Sequence, residues 1–230
     1  MNVATNNLLR VAVLEKFPPF IETTEGRPQG AFIDALEAAA QRAKLAVIFE
    51  PVSLNLWQKT LDEGLADALY PMAVTPKLLK AYDFSEPILS SGGGLFVRAP
   101  ENTPDGLDVL AGKIVVTPRS GPLASYIAET APAVRLMITE GYEESLTDLV
   151  SGAADAAALN LEVGAHLAEQ LHPGKITSAD RYFWELPLAL LMSKGRDAKP
   201  AILEALNRGI RDMRTDGTMK LIMSSVMPSC

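Results

Sequence analysis

Apolar residues in the first part of the chain follow two alternating patterns, one typical of strands and one typical of helices. A nearly continuous apolar run at residues 8–14 predicts a strand buried on both faces of a parallel sheet. Apolar residues then recur at helical spacing over residues 31–44 and 54–64, and each pattern leads into a short strand, at 46–50 and at 67–70. This β-α-β-α-β order predicts helices packed on a mostly parallel sheet with right-handed crossovers.

The pattern resets near the middle of the chain. Ser90-Ser91-Gly92-Gly93-Gly94 is interpreted as a flexible segment between secondary-structure elements. A strand at 95–98 and a polar loop at 101–108 are predicted to follow it. A second α/β unit begins after this loop. The sequence predicts strands at 113–116, 134–138, 156–159 and 188–192, and helices at 122–130, 142–151, 200–214 and 218–225.

Composition limits the classes of function. The chain has 230 residues, of which 48% are hydrophobic, so it can bury a sizeable core. Its formal net charge of -7 comes from interspersed charges of both signs, without a basic stripe, which argues against a nucleic-acid partner. No apolar run approaches the roughly 18 residues of a spanning helix. Residues 1–7 lack the features of a secretion signal, so we expect either a cytoplasmic protein or a chain that begins after its signal.

Candidate catalytic and metal-binding residues are scarce. Cys230 is the single cysteine, which excludes an internal disulfide and a thiolate metal cluster. His166 and His172 are too far apart along the chain to share one helical face, and we expect both at the surface rather than at a metal. No nucleophile-elbow, zinc-protease or phosphate-loop motif occurs. The sequence therefore predicts a protein that is not an enzyme, with no metal and no cofactor.

Five groups of motifs follow one another along the chain. They are Lys-Phe-Pro-Pro-Phe with Gly-Ala-Phe-Ile-Asp, Gly-x-x-Asp-Ala with Thr-Pro-Lys and Phe-Ser-Glu-Pro, Leu-Ala-Gly-Lys, a second Gly-x-x-Asp-Ala, and Asp-Gly-Thr. Each motif alone is weak, but their joint order resembles the type 2 periplasmic solute-binding proteins of amino-acid transporters, the family 3 extracellular solute-binding proteins. The motifs lie at residues 16–20 with 30–34, 64–68 with 75–77 and 83–87, 110–113, 152–156 and 216–218.

The resemblance implies a fold, a location and a mechanism. The fold is the two-lobed type II periplasmic-binding-protein-like architecture, with two α/β lobes joined by a two-strand hinge and a ligand cleft between them. Lobe one is expected at residues 1–92 and 193–230, and lobe two at residues 93–192. The implied function is non-enzymatic binding of a small solute by hinge closure, as the periplasmic or extracytoplasmic substrate-binding component of an ABC-type transporter, with a membrane permease as partner.

Two positions depart from the amino-acid-binding members of that family. In those members an arginine three residues after the motif threonine grips the ligand carboxylate, and here that position is Leu78. An aspartate that receives the ligand ammonium is replaced by Asn160. Met72 and Ala73 also stand where small hydroxyl residues are frequent. Burying a zwitterion without these charges is unfavourable, so we expect a ligand that is not one of the standard amino acids.

Other residues remain as candidate contacts. Phe17 matches the aromatic residue that covers the ligand in the family, although it is also interpretable as a core residue, and Tyr70 offers a second ring with a hydroxyl. Arg119-Ser120-Gly121 precedes a helix whose unpaired N–H groups suit an anion, and Arg119 is either a displaced positive charge or a solvent-facing loop residue. Trp184 either reaches the cleft or packs on its own lobe. Asn160 suits a hydroxyl, amide or carbonyl group.

Two alternatives to a transport component stay open. The same fold serves as the extracytoplasmic sensor domain of membrane-bound histidine kinases and cyclic-dinucleotide enzymes, whose partner is a signalling domain. Some relatives have become dehydratases that use a carboxylic acid in the cleft, and here Glu185 or Glu15 is the candidate general acid. For the binding function we expect small carboxylates or uncharged aromatic compounds to be better ligands than the twenty amino acids.

Overall fold

The computed structural model describes residues 7–53, 56–194 and 199–226, without the side chains of residues 57 and 58. Cys230 therefore lies outside the described residues. The chain forms two compact units. Unit 1 comprises the chain up to Ser90 and again from Pro187, and unit 2 comprises Ser91–Leu186. The lobe boundaries expected from the sequence, at residues 92 and 193, lie a few residues beyond these division points.

Strands and helices alternate through most of the chain. The strands are β1 (Leu8–Leu14), β2 (Glu22–Thr24), β3 (Arg27–Gln29), β4 (Ala46–Val52), β5 (Ala68–Ala73), β6 (Tyr82–Phe84), β7 (Leu89–Arg98), β8 (Ile114–Pro118), β9 (Arg135–Thr139), β10 (Ala156–Asn160), β11 (Ile176–Ser178) and β12 (Trp184–Ser193). The helices are α1 (Ala31–Arg42), α2 (Trp57–Asp62), α3 (Pro76–Ala81), α4 (Leu123–Thr130), α5 (Tyr142–Ser151), α6 (Leu161–Leu171), α7 (Pro200–Thr215) and α8 (Thr218–Met223). In the described part of the chain, no helix is long and apolar enough to cross a membrane.

Unit 1 is built on a mixed sheet in the order β4-β1-β5-β12. β1 is parallel to both β4 and β5, whereas β12 is antiparallel to β5 and β6. Val11, Ala12 and Val13 at the centre of β1 are fully buried. Because successive residues of a strand point to opposite faces, this burial confirms the prediction that both faces of β1 are covered.

Helices α1 and α7 pack together over one face of the unit 1 sheet. Leu36 of α1 and Leu206 and Ile210 of α7 are fully buried in one apolar cluster with residues of β1. The helices approach closely because Gly209 has no side chain: a Cβ atom there would lie 2.3 Å from the carbonyl oxygen of Ala39. The amphipathic pattern predicted over residues 200–214 is therefore realised as a helix packed on α1.

The strands of unit 2 follow one another in the order β7-β10-β8-β9. β8 is parallel to both β10 and β9, whereas β7 is antiparallel to β10. Val115 shares a cluster with Ile127 of α4, whereas its neighbour Val116 shares a cluster with Leu146 of α5. The predicted second α/β unit is thus a sheet with a helix on each face.

The glycine-rich stretch at residues 90–94 belongs to a strand, β7, so the prediction of a flexible segment there is wrong. Gly92, Gly93 and Gly94 are all buried within β7. A Cβ atom on Gly92 would lie 2.4 Å from the carbonyl oxygen of Trp184, and one on Gly93 would lie 2.6 Å from the ring of Phe183. A Cβ atom on Gly94 would lie 2.5 Å from Cδ1 of Leu161, so the glycines are required by the close packing of side chains and backbone on β7 rather than by flexibility.

The Gly-x-x-Asp-Ala motif does the same structural work in each unit. The carboxylate Oδ2 of Asp67 accepts a hydrogen bond from the backbone N–H of Arg10 at 3.0 Å, and the backbone N–H of Asp67 donates to the Arg10 carbonyl oxygen at 2.8 Å. Asp155 makes the same pair of bonds with Ile114, at 2.7 and 2.8 Å. In both units the motif aspartate therefore fixes the neighbouring parallel strand.

The Asp-Gly-Thr signature joins α7, α8 and α1. Gly217 adopts a φ of 83°, in the left-handed region that favours glycine. The carboxylate of Asp216 accepts hydrogen bonds from the backbone N–H of Thr218 at 2.9 Å and from Arg42 of α1 at 2.8 Å. The interactions with Thr218 and Arg42 lower the pKa of Asp216 to about 2.

Candidate functional site

Two aromatic residues of unit 1 were expected to contact a ligand. Phe17 is half-buried, and its ring stacks on Phe20 at a centroid distance of 5.9 Å and on Phe32 at 6.1 Å. Tyr70 is fully buried against Phe32, and its hydroxyl has no hydrogen-bond partner among the described residues. Burial raises the pKa of Tyr70 well above its usual value. Tyr70 is thus a core residue with no exposed surface for a ligand, which corrects its interpretation as a second ligand-facing ring.

Met72, Ala73 and Leu78 lie near the end of β5 and on the short helix that follows. Met72 packs against one apolar cluster of unit 1 and Ala73 against another, because neighbouring residues of a strand face opposite sides. Leu78 is half-buried beside Met72 in the same cluster, and its backbone N–H donates to the capping hydroxyl of Thr75 at 3.3 Å. Leu78, at the position of the family's arginine, is therefore an apolar residue in apolar surroundings.

Asn160 belongs to a chain of hydrogen bonds within unit 2. Its Nδ2 donates to Ser91 Oγ at 2.7 Å, and the Ser91 hydroxyl donates in turn to Oε2 of Glu162 at 2.7 Å. The Oδ1 of Asn160 accepts from the backbone N–H of Val163 at 3.1 Å, so Asn160 caps the N-terminus of α6. Both polar atoms of the Asn160 side chain therefore have protein partners, and their contact with a ligand stays a prediction.

Two tyrosines extend this chain around Glu162. The hydroxyl of Tyr182 donates to Oε1 of Glu162. Tyr142, the first residue of α5, forms a hydrogen bond with the backbone of Asn160. Burial raises the pKa of Tyr142 to about 12, and the nearby Glu162 carboxylate adds to this rise. Ser91, Asn160, Glu162 and Tyr182 thus form a continuous network, which we call the Glu162 network.

Arg119 lies at the surface of unit 2 in an ion pair. Its Nη2 is 2.5 Å from Oε1 of Glu140, and the side chains of both residues are largely exposed. Ser120 is half-buried, and Gly121 has a φ of 91° in the turn that leads into α4. The positive charge of Arg119 is therefore already paired, which favours the solvent-facing interpretation over that of a displaced ligand contact.

Trp184 stacks on a residue of its own unit. Its ring lies 4.0 Å from that of Tyr126 with an interplanar angle of 6°, and both rings are half-buried. The ring of Phe183 also lies near Tyr126, with a distance of 6.2 Å between the two ring centroids. One face of Trp184 is thus occupied within unit 2, so packing on its own lobe is the interpretation that the contacts favour.

The residues considered for catalysis and metal binding do not form a site. Glu15 and Glu185 are both exposed. His172 caps the end of α6, whereas His166 lies within that helix with a buried Nε2 that has no hydrogen-bond partner among the described residues. Both histidines are half-buried, so the expected surface position holds only in part. Among the described residues, no group of three or more His, Cys, Asp or Glu side chains is arranged to hold a metal ion.

The sequence reasoning missed most of the Glu162 network. Ser91 lies in the glycine-rich stretch whose composition indicates flexibility, and no sequence motif marks Glu162 or Tyr182. A signal for Glu162 is present, since it lies two residues after Asn160, in the first turn of a helix that begins directly at the end of β10. That helix, α6, was itself missed because no loop separates it from the strand.

Known proteins resemble this chain over nearly its whole length. The family model of the bacterial extracellular solute-binding proteins, family 3, matches residues 9–227. Among curated proteins, the probable amino-acid-binding protein YxeM of Bacillus subtilis (strain 168) is 24% identical over 219 residues, covering 94% of this chain and 82% of that protein.

Solved structures show the same fold. A histidine kinase sensor domain with similarity to periplasmic binding proteins has a TM-score of 0.83 at 20% identity, covering 97% of each chain. The ancestral amino acid-binding protein AncCDT-1, a precursor of cyclohexadienyl dehydratase, has a TM-score of 0.77 at 24% identity, covering 96% of this chain and 95% of that chain. The two-lobed periplasmic-binding-protein fold is therefore confirmed, and the chain belongs to family 3 of the bacterial extracellular solute-binding proteins.

Proposed function

We propose that this chain binds a small solute without converting it and serves as the substrate-binding component of an ABC-type transporter. Family 3 solute-binding domains work outside the cytoplasm, and the curated relative described above is named as a binding protein. The observation that supports binding rather than catalysis is that Glu15 and Glu185, the candidate general acids, are both exposed. A carboxylic acid that donates a proton near neutral pH is usually held in a buried, apolar setting.

The proposed ligand contacts come from both units. Unit 1 contributes Phe17 and the apolar positions Met72, Ala73 and Leu78, whereas Tyr70 is left out because its ring is enclosed. Unit 2 contributes Asn160 and the backbone of the turn at residues 119–121, whereas the side chains of Arg119 and Trp184 are left out because they are engaged by Glu140 and Tyr126. A solute that interacts with both units favours a closed arrangement by its higher affinity for that arrangement.

Positions 78 and 160 lack the charged residues that bind an amino acid in other family members, and this determines the specificity that we propose. Leu78 is packed in an apolar cluster, and both polar atoms of Asn160 are hydrogen-bonded within the protein. Neither position compensates the charges of a zwitterion, so the proposed solute is not one of the standard amino acids.

A thermal-shift screen of small solutes tests this function. A ligand present at 100 times its Kd stabilises the folded protein by about 2.7 kcal/mol, which produces a measurable rise in melting temperature. We expect a subset of the non-amino-acid solutes to stabilise the protein and the twenty amino acids to leave it unchanged. Stabilisation by lysine or glutamine would show that the assignment of Leu78 and Asn160 is wrong, and a screen without any hit would contradict the binding function.

A sensor role is the second candidate function, favoured by the fold likeness to a histidine kinase sensor domain. Both roles require solute binding, so the screen does not separate them. The reading frame of the gene does: a membrane-spanning segment followed by a kinase or cyclic-dinucleotide domain supports the sensor, whereas a stop codon directly after this chain together with a neighbouring permease gene supports the transport component.

A further inference from the structure

The chain contains two Asp-Gly dipeptides, and the structure places them in different surroundings. They are Asp105-Gly106, in the loop that follows β7, and Asp216-Gly217, between α7 and α8. An aspartate followed by glycine is prone to a spontaneous rearrangement of the main chain, because glycine has no Cβ atom to keep its nitrogen away from the aspartate side chain. Which of the two dipeptides rearranges therefore depends on how firmly the fold holds each one.

Asp105 and Gly106 are held weakly. The side chain of Asp105 is 89% exposed and forms a surface ion pair with Arg181, whose side chain is 64% exposed. Such a pair contributes about 0–1 kcal/mol, so the carboxyl group leaves it readily. Among the described residues, the backbone N–H of Gly106 has no hydrogen-bond partner. The two reacting groups, the carboxyl carbon of Asp105 and the nitrogen of Gly106, are therefore free to approach each other.

Asp216 and Gly217 are held firmly. The carboxylate of Asp216 accepts hydrogen bonds from the backbone N–H of Thr218 at 2.9 Å and from Arg42 at 2.8 Å. These interactions lower the pKa of Asp216 to about 2, so its protonated form is scarce at mildly acidic pH. Gly217 has a φ of 83° in the turn that joins α7 to α8. The fold thus withholds from Asp216 both the mobility and the protonated carboxyl group that the rearrangement needs.

We infer that Asp105 is a site of spontaneous isoaspartate formation, whereas Asp216 is protected by its contacts. The nitrogen of Gly106 attacks Cγ of the protonated Asp105 carboxyl group, an N–Cγ bond forms, and the hydroxyl group leaves with the amide proton as water. Water then adds to one of the two carbonyl carbons of the resulting cyclic succinimide. Cleavage of the N–Cγ bond restores aspartate, whereas cleavage of the bond to the main-chain carbonyl carbon of Asp105 gives isoaspartate.

Isoaspartate formation changes the main chain without changing its mass. The chain then runs through Cβ and Cγ of the former side chain, so it is longer by one methylene group, and the free carboxylate is attached to Cα. The extra length has to be accommodated close to Leu107, which is buried in an apolar cluster of unit 2. This inference does not depend on the solute that the protein binds.

Peptide mapping of the aged protein tests the inference. The whole chain is kept for several weeks at mildly acidic pH in water enriched in heavy oxygen, and is then digested with trypsin in ordinary water. Asp105 lies in the tryptic peptide 99–113, with Asp108 as an internal reference, and Asp216 lies in the peptide 215–220. We expect an isoaspartyl form with heavy oxygen at residue 105, and at least about tenfold less conversion at residue 216.

Two variants assign the reaction to this dipeptide. Gly106→Ala adds a Cβ atom that hinders the attack, and we expect conversion at residue 105 to fall by at least about fivefold. That Cβ would lie 2.9 Å from Oδ1 of Asp108, an exposed side chain that can turn away, so the variant should fold. Arg181→Ala removes the ion pair, and conversion should stay the same or rise by up to about fivefold. Circular dichroism of the fresh protein checks the fold of both variants.

The same measurements can overturn the inference. Equal conversion at Asp105 and Asp216, preferred conversion at Asp108 or Asp216, or the absence of heavy oxygen at Asp105 would contradict it, as would unchanged conversion in Gly106→Ala. If Gly106→Ala does not fold, Arg181→Ala decides, since slower conversion in that variant would show that the released carboxyl group is not the reacting form.

Discussion

Replacing Asp67 with asparagine removes a carboxylate that two cations share in unit 1. The side chain of Asp67 is only 10% exposed, and its Oδ1 lies 3.1 Å from Nη2 of Arg10 and 2.8 Å from Nζ of Lys199. Asparagine still offers an oxygen to the backbone N–H of Arg10, so the strand bond of the motif is retained. The substitution therefore isolates the contribution of the charge.

The expected loss of stability lies between two limits. Breaking a buried ion pair costs about 3–5 kcal/mol, whereas an exposed pair contributes about 0–1 kcal/mol. Asp67 is buried, but Arg10 and Lys199 are 39% and 38% exposed, so water solvates them in part once the carboxylate is gone. We therefore expect Asp67→Asn to lower the free energy of unfolding by about 2 kcal/mol.

Asp155 provides a matched control because it occupies the same motif position in unit 2. Its backbone bonds are equivalent to those of Asp67, but its side chain is 39% exposed and its cation, Lys113, is 3.7 Å away. Asp155→Asn should therefore lower the free energy of unfolding by no more than about 0.5–1 kcal/mol. Urea unfolding, followed by circular dichroism, measures both variants against the wild type.

The pH dependence gives an independent check on the same charge. Burial alone would raise the pKa of Asp67, but the hydrogen bonds from Arg10 and Lys199 outweigh it and lower the pKa below the usual value. A carboxyl group with a lowered pKa in the folded state stabilises the protein above its unfolded pKa, about 3.9, and this contribution is lost as the pH falls below that value. The difference between wild type and Asp67→Asn should thus be constant near neutral pH and shrink below about pH 4. Equal losses for Asp67→Asn and Asp155→Asn, or a difference that does not change in acid, would refute this reasoning.

Two further predictions concern the glycines of β7 and the Asp-Gly-Thr signature. Gly92→Ala should lower the free energy of unfolding by about 2 kcal/mol or more, because its Cβ would lie 2.4 Å from the Trp184 carbonyl oxygen. Gly141→Ala, whose Cβ would meet nothing within 4 Å, should lower it by only about 0.5–1 kcal/mol through the poorer helix cap that alanine makes, and equal effects in urea unfolding would contradict the packing argument. A carboxyl NMR titration should give a pKa of about 2 for Asp216, and Arg42→Ala should raise it; a wild-type value near 4 would show that the contacts with Thr218 and Arg42 are not formed in solution.

The hydrophobic pattern predicted the regular core well because burial dictates it directly. β1 and α5 occur at the predicted residues, Leu8–Leu14 and Tyr142–Ser151. Elements without a distinct apolar period were missed, including α3, which has no buried residue, and the β2–β3 hairpin, whose strands have three residues each. A period needs several turns or alternations to be recognised, so such short elements give no signal.

The glycines of β7 failed for a different reason. A run of glycine predicts flexibility when only local conformation is considered, because glycine has the widest backbone freedom. In this protein the three glycines are buried in a strand, and what selects them is the approach of residues that are distant in sequence: residues 182–184 at Gly92 and Gly93, and Leu161 at Gly94. That approach depends on tertiary structure and is invisible to a local pattern.

The candidate site also combines residues that the sequence predicted well with residues that it did not. The motifs that carry the family resemblance contain Asp67 and Asp155, which hydrogen-bond to neighbouring strands in this structure. These motifs therefore predict the fold and carry no information about the ligand. The proposed ligand contacts, such as Asn160, have hydrogen-bond partners from elsewhere in the chain, which the sequence pattern does not predict. From its residue type alone, Asn160 was predicted to suit a hydroxyl, amide or carbonyl group of the ligand.

Its structural neighbours change that interpretation. Asn160 is hydrogen-bonded to Ser91, and Ser91 donates to Glu162, so the position that lost a carboxylate is connected through one hydroxyl to a residue that has one. Loss of the charge at one position is therefore not loss of charge from its surroundings, since a carboxylate two residues along the chain belongs to the same network. The electrostatics around Asn160 follow from this hydrogen-bonded group as a whole, and a residue type at one position does not give them.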